Sequence, residues 1–170
     1  AIQPGPFVQS LGLSPTTVVG GNSSTGTVVL SKPAPVGGTR VTLSDNHTAV
    51  ALPAFLTIPE GQIQGVFSVT TAPVSAPSTA GVVAAAPGSL RGANLGLLAP
   101  ILLSVSVSPT SVKGGSPSTG LVLLTGNTAT TVSVAMSVNG SVASVPPVVN
   151  IATGIREATF TVNTVPVTTT

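Results

Sequence analysis

Ser14–Leu30 reads SPTTVVGGNSSTGTVVL, and Ser108–Leu124 reads SPTSVKGGSPSTGLVLL. Eleven of the seventeen positions are identical at a fixed offset of 94 residues, so one segment is written twice. In each copy the Ser-Pro pair ends or bends a first strand, because proline has no N–H to give a ladder. Gly20-Gly21 and Gly114-Gly115 supply positive φ for a tight turn. Thr25-Gly26 and Thr119-Gly120 launch the next strand, where Val28 and Leu30, matched by Val122 and Leu124, point to one face. A phosphate cradle is excluded, since neither Lys-Ser/Thr nor a helix follows the glycines.

The copy extends beyond this stretch. IPEGQIQGVFSVTTAPV from Ile58 returns as IATGIREATFTVNTVPV from Ile151, at an offset of 93. Phe67 and Val69, with counterparts Phe160 and Val162, are the expected core anchors. Between the two conserved blocks, TRVTLSDNHTAVALP and TTVSVAMSVNGSVASVP keep the order strand, polar turn, short strand. Glycine (19) and proline (16) recur every few residues, which breaks any long helix. The intervals are period-two runs such as TRVTL, GVFSVTT, SVSVS and ATFTVNT, spaced by turn residues as in an all-β sandwich or barrel.

As a set, these motifs resemble the immunoglobulin-like repeats of large secreted and surface-anchored bacterial proteins. The shared elements are the SPxxVxGGxxSTGxVxL opening, KPAPVGG from Lys32, a strand ending in Leu43-Ser44, and IPEG followed by VFSVTT. The second copy departs, with TGNTAT for KPAPVGG and IATG for IPEG. The resemblance implies two tandem immunoglobulin-like β-sandwiches. Residues 1–10 form an N-terminal extension, 11–100 the first domain and 101–170 a second, incomplete one.

Composition narrows the partners. Eight residues are charged, 5% of the chain, against about 25% in an ordinary soluble domain. Mean hydropathy is +0.61. So little charge gives little protection against self-association, and apolar surface covered by copies of the same chain is the expectation. A net charge of +2 forms no basic cluster, and there is no Tyr or Trp, so nucleic acid is not an expected partner. The uncharged stretch between Arg91 and Lys113 is interrupted by Gly96, Pro100 and Pro109, and reads as strand, linker and strand rather than a membrane span. The start AIQPGPF fits a chain whose signal peptide has been removed, and equally a fragment.

The second copy differs most at its end. After TTAPV the first copy continues SAPSTAGVVAAAPGSLRGANLGLLAP, whereas after NTVPV the second reads TTT, roughly 25 residues fewer. The expectation is a second sandwich without its last two strands, presenting a groove and edge at Phe160, Val162 and Val165. One reading fills that groove with a neighbour's strand, the donor being the apolar N-terminal segment with Ile2, Phe7 and Val8. The other reading is a piece of a longer repeat array. Leu97, Leu98, Ile101, Leu102 and Leu103 are expected to pack at the junction between domains or subunits.

Candidate chemistry is sparse. Asp45-Asn46-His47 is the one dense polar cluster. Adjacent strand positions face opposite ways, so a triad with Ser44 does not assemble, and the second copy reads SVNGS there. One His, no Cys and three scattered acids make no expected zinc or calcium site, and no cofactor or small-molecule substrate is expected. The core is expected to take all four phenylalanines, leaving no aromatic platform for sugars. Asn22, Asn46 and Asn139 lie in sequons and are candidate glycosylation sites. The expected role is a non-catalytic subunit of an extracellular filament or pilus-like fibre, built by β-strand addition and apolar contacts. The alternative is a spacer or adhesive module of a larger secreted or surface protein.

Overall fold

The computed structural model describes residues 5–167, and every regular element in them is a β-strand. The chain forms two compact units, one running to Leu98 and one from Ala99. Unit 1 contains β1 (Val8–Ser14), β2 (Thr17–Val19), β3 (Ser24–Leu30), β4 (Thr39–Asp45), β5 (Val50–Ala51), β6 (Phe55–Ile58), β7 (Gln64–Thr71), β8 (Ser78–Ala86) and β9 (Ser89–Leu98). Unit 2 contains β10 (Leu102–Ser108), β11 (Ser118–Leu124), β12 (Val132–Ala135), β13 (Ala143–Ser144), β14 (Val148–Ile151) and β15 (Glu157–Thr164). The division falls two residues before the boundary expected from the sequence, because β9 stays paired with β2 as far as Leu98.

Unit 1 is an immunoglobulin-like sandwich. One sheet has the order β1-β3-β7-β5 and the other β2-β9-β8-β4-β6. All pairs are antiparallel except β2, which runs parallel to β9. The alternation expected from sequence is what fills the core. Ser24, Gly26, Val28 and Leu30 of β3 face in, and so do Val41 and Leu43 of β4, with Thr25, Thr27, Arg40, Thr42 and Ser44 among the outward neighbours. Seventeen buried apolar residues from both sheets form one cluster.

The opening stretch folds alike in both copies. The Ser24 hydroxyl donates to Pro15 O at 2.7 Å, and the Ser118 hydroxyl donates to Pro109 O at 2.7 Å. The second glycine of each Gly-Gly pair carries the positive φ, +97° at Gly21 and +91° at Gly115. Its N–H donates to the hydroxyl of Thr71 or Thr164, which donates onward to Asn22 O or Ser116 O. The first glycine answers a different need: a Cβ at Gly20 would meet Ala72 O and Val74 N at 2.8 Å. Both Ser-Pro bonds are cis.

The Thr-Gly pairs have a cross-strand purpose. Gly26 lies opposite Phe67, and Gly120 opposite Phe160. A Cβ on either glycine would fall within the facing ring, so the absent side chain makes room for the aromatic to lie on the neighbouring strand.

The departures of the second copy leave its turn in place. Gly61 N–H donates to Ala34 O at 2.9 Å, and Gly154 N–H donates to Thr128 O at the same distance. Thr128 replaces the buried Ala34, and its extra hydroxyl is satisfied by donating to Ala152 O at 2.7 Å.

Candidate functional site: the open face of unit 2

Register identifies the strands of unit 2 one by one. β10, β11, β15 and β13 repeat the sheet β1-β3-β7-β5, down to the same irregularity near the start of the first strand. β12 and β14 repeat β4 and β6: Val132 faces Ile151 as Thr39 faces Ile58. Among the described residues nothing occupies the places of β2, β8 and β9. β4 lies between β8 and β6, whereas β12 pairs with β14 alone.

Burial records what is uncovered. Val8 is 0% exposed and its counterpart Leu102 is 51%. Leu13 is 8% exposed, while the matching Val107 is 36%. All seven residues of β10 are exposed, although six of them are paired with β11. Val41, Leu43 and Val69 are buried, whereas Val134, Met136 and Val162 are half-buried. The unit 2 cluster holds five buried apolar residues, Val122, Leu124, Val149, Ile151 and Phe160. The result is an apolar, uncharged face between β10 and the bare edge of β12, with Val134, Met136 and Val162 on its floor.

This placement corrects part of the sequence reading. Phe160 and Val162 belong to the floor and not to an edge, because β15 is an inner strand held between β11 and β13. Val165 lies past the end of β15, exposed, with its N–H donating to Val142 O at 3.0 Å. The proposed donor residues are engaged in unit 1. Val8 heads β1 in its core, and Phe7 is tied to Ser31, its carbonyl accepting from Ser31 N–H at 2.9 Å and its N–H donating to Ser31 Oγ at 3.2 Å. Ile2 lies outside the described residues. Of the junction residues, Leu97 is buried in unit 1 and Leu98 is exposed at the end of β9. Ile101, Leu102 and Leu103 are more than half exposed in unit 2. The core takes only Phe67 and Phe160; Phe7 and Phe55 are about half exposed, and the Arg40 guanidinium stacks 4.0 Å above the Phe55 ring.

The polar cluster closes a turn. Asp45 Oδ1 accepts from His47 N–H at 3.0 Å, His47 Nδ1 from Ala49 N–H at 3.1 Å, and Asn46 Oδ1 from Gly81 N–H at 2.8 Å. All three side chains are spent on backbone donors. Asn22, Asn46 and Asn139 are exposed. Among the described residues no group of three or more His, Cys, Asp or Glu gathers as a metal site. Among the described residues, shallow cavities include one of about 570 Å³ beside Phe7, Thr39 and Arg40, and one of about 510 Å³ beside Asn127, Arg156 and Glu157.

Sequence reasoning missed β10 as an exposed surface and β12 as the bare edge. The signal was present in the comparison of the copies: a segment that aligns with β1 but has nothing in the position of β9 to cover it.

No protein-family model matches the chain, and no curated protein sequence does. Among solved structures, the D0-D1 domain of intimin matches 93% of this chain and 85% of its own at 12% identity, with a TM-score of 0.46. The Yersinia pseudotuberculosis adhesin InvE matches at 15% identity and a TM-score of 0.39, over 96% of this chain and 54% of its own. Escherichia coli α2-macroglobulin activated by porcine elastase matches at 12% identity and 0.40, over 98% of this chain and 20% of its own. At these values the matches assign no function.

Proposed function

We propose that the chain is a non-catalytic structural building block of an extracellular fibre or surface stalk, and that unit 2 is completed by β-strand addition. The open face carries this reading. It offers a bare strand edge beside uncharged aliphatic residues, the combination that accepts an added strand: backbone bonds supply affinity and alternate side chains supply fit. The low charge of the whole chain supports close packing of copies. In the fibre form a neighbouring copy supplies the strand and the product is a homopolymer. Exposed asparagines in all three sequons are compatible with glycans on an external surface.

One observation favours the second form, a spacer or adhesive module within a larger secreted or surface protein. Val8 and Phe7 are already committed to unit 1, which removes most of the N-terminal donor on which the simplest homopolymer depends.

Electron microscopy and sedimentation of the purified 170-residue chain test the proposal. Regular polymers, or reversible association through unit 2, are expected. A dilute, stable monomer with unit 2 closed on itself overturns it.

A further inference from the structure

In unit 1 the space that stays open in unit 2 is filled by one continuous piece of chain, the β8–β9 hairpin. Its two strands have different partners. β8 pairs antiparallel with β4, Leu43 opposite Ala84, and covers the edge that β12 leaves bare. β9 lies beyond it and runs parallel to β2, Val18 opposite Leu97. Two further backbone bonds tie that joint: Gly96 N–H donates to Thr16 O at 2.8 Å and Gly20 N–H to Leu98 O at 3.0 Å. The counterparts of Thr16, Val18 and Gly20 in unit 2 are Thr110, Val112 and Gly114, in a segment without strand structure.

A single strand beside β12 would not complete this arrangement. It would leave the segment around Val112 unpaired and the aliphatic side chains of β10 in water. The unit 1 hairpin solves both problems with a simple side-chain pattern. Ala80, Val82 and Ala84 of β8 and Leu95 and Leu97 of β9 are fully buried. Its one charge, on Arg91, points away and donates to Gln9 O at 3.0 Å. The floor beneath is duplicated as well, with Phe160 lying on Gly120 as Phe67 lies on Gly26.

We propose that the open face of unit 2 docks a β-hairpin patterned like Ser78–Leu98, not a lone strand. Small apolar residues alternate on the strand beside β12, larger aliphatic ones on the second strand, and no charge faces inward. The inference rests on the strand-addition reading above and specifies its occupant. Docking has a structural consequence: the second strand of the hairpin recruits Ser111–Lys113 into a parallel ladder, so a loop becomes the counterpart of β2.

The test extends the full chain after Thr170 with a copy of Ser78–Leu98. NTVPVTTT aligned with TTAPVSAP puts that copy at the spacing used in unit 1. Hydrogen exchange at Ser111–Lys113 and at Val132–Met136 is expected to slow about a hundredfold relative to the parent chain, with sedimentation as a monomer. Ala80→Glu and Ala84→Glu in the appended copy are expected to abolish both effects. The synthetic hairpin Ser78–Leu98 added in trans to the parent chain gives an independent readout of the same protection.

Protection at Val132–Met136 without protection at Ser111–Lys113 means that one strand suffices, and overturns the hairpin. Unchanged exchange in both formats, with the parent chain still associating through unit 2, overturns the hairpin but leaves strand addition standing. A monomeric parent chain that protects both segments overturns this inference and the strand-addition reading together.

Discussion

Replacing Gly26 with alanine adds one methyl group at the position where the Phe67 ring rests. The ring is 5% exposed and packed in the core, so it has no open space to move into. It must turn off its preferred rotamer or force β3 and β7 apart; overpacking of this kind costs about 1–3 kcal/mol. Restricting the unfolded chain returns about 0.4–1 kcal/mol, which leaves a net loss of up to about 2.6 kcal/mol. The sign reverses once the ring is gone. In a Phe67→Ala background, itself about 3–5 kcal/mol less stable, the added methyl enters a cavity and Gly26→Ala becomes neutral or stabilising. The coupling between the two positions is therefore about 1–3 kcal/mol. With no Trp or Tyr to report unfolding, hydrogen exchange read across β3 and β7 is the suitable assay, comparing wild type, both single variants and the double. Phe67→Leu serves as a milder second background. An equal cost of Gly26→Ala with and without the ring would falsify the argument that the glycine exists for the aromatic. Gly120→Ala tests the same pair in unit 2, where the open face gives Phe160 somewhere to go, and a smaller loss is expected.

Thr39→Val is expected to stabilise unit 1 by about 1 kcal/mol in urea titration, because Thr39 Oγ1 is buried without a hydrogen-bond partner and the matching position in unit 2 is Val132. Ser24→Ala and Ser118→Ala each strand the carbonyl of the preceding Pro15 or Pro109, and a loss of about 1–3 kcal/mol should appear as a lowered melting temperature. Leu13→Lys and Val107→Lys occupy equivalent positions with opposite outcomes. The first buries a charge and costs about 3 kcal/mol or more, while the second leaves unit 2 within about 1 kcal/mol of wild type and reduces its association in sedimentation.

Turn chemistry and alternation are local properties, and they were legible in the sequence. The Gly-Gly pair had to contain a positive φ, the TGTVVL and TGLVLL runs had to face Val and Leu inward, and the 94-residue offset had to produce two copies of one sandwich. None of these needs a distant partner. The Asp45-Asn46-His47 cluster was also readable as a turn, since its side chains reach only nearby backbone and one strand beside it. Part of the proposed site was not readable. Alternation places Phe160 and Val162 on the inner face, but it does not say that β15 sits between two other strands. The role of the N-terminal segment was not readable for the same reason: an apolar run can pair with its own sandwich or with another, and Val8 pairs with its own.

The clearest division lies between Thr17-Val18-Val19 and Ser111-Val112-Lys113. From sequence alone these segments are counterparts, each between a Ser-Pro bend and a Gly-Gly turn. In the folded chain only the first is a strand, because only there does β9 present backbone groups to bond and leucines to cover Val18. The amino-acid order determined the duplication, the turns and the faces of the alternating strands, all set by short-range geometry. Which strands have neighbours, which faces are covered and which glycine serves which ring were decided by tertiary structure, because a β-ladder is completed by groups far away in the chain.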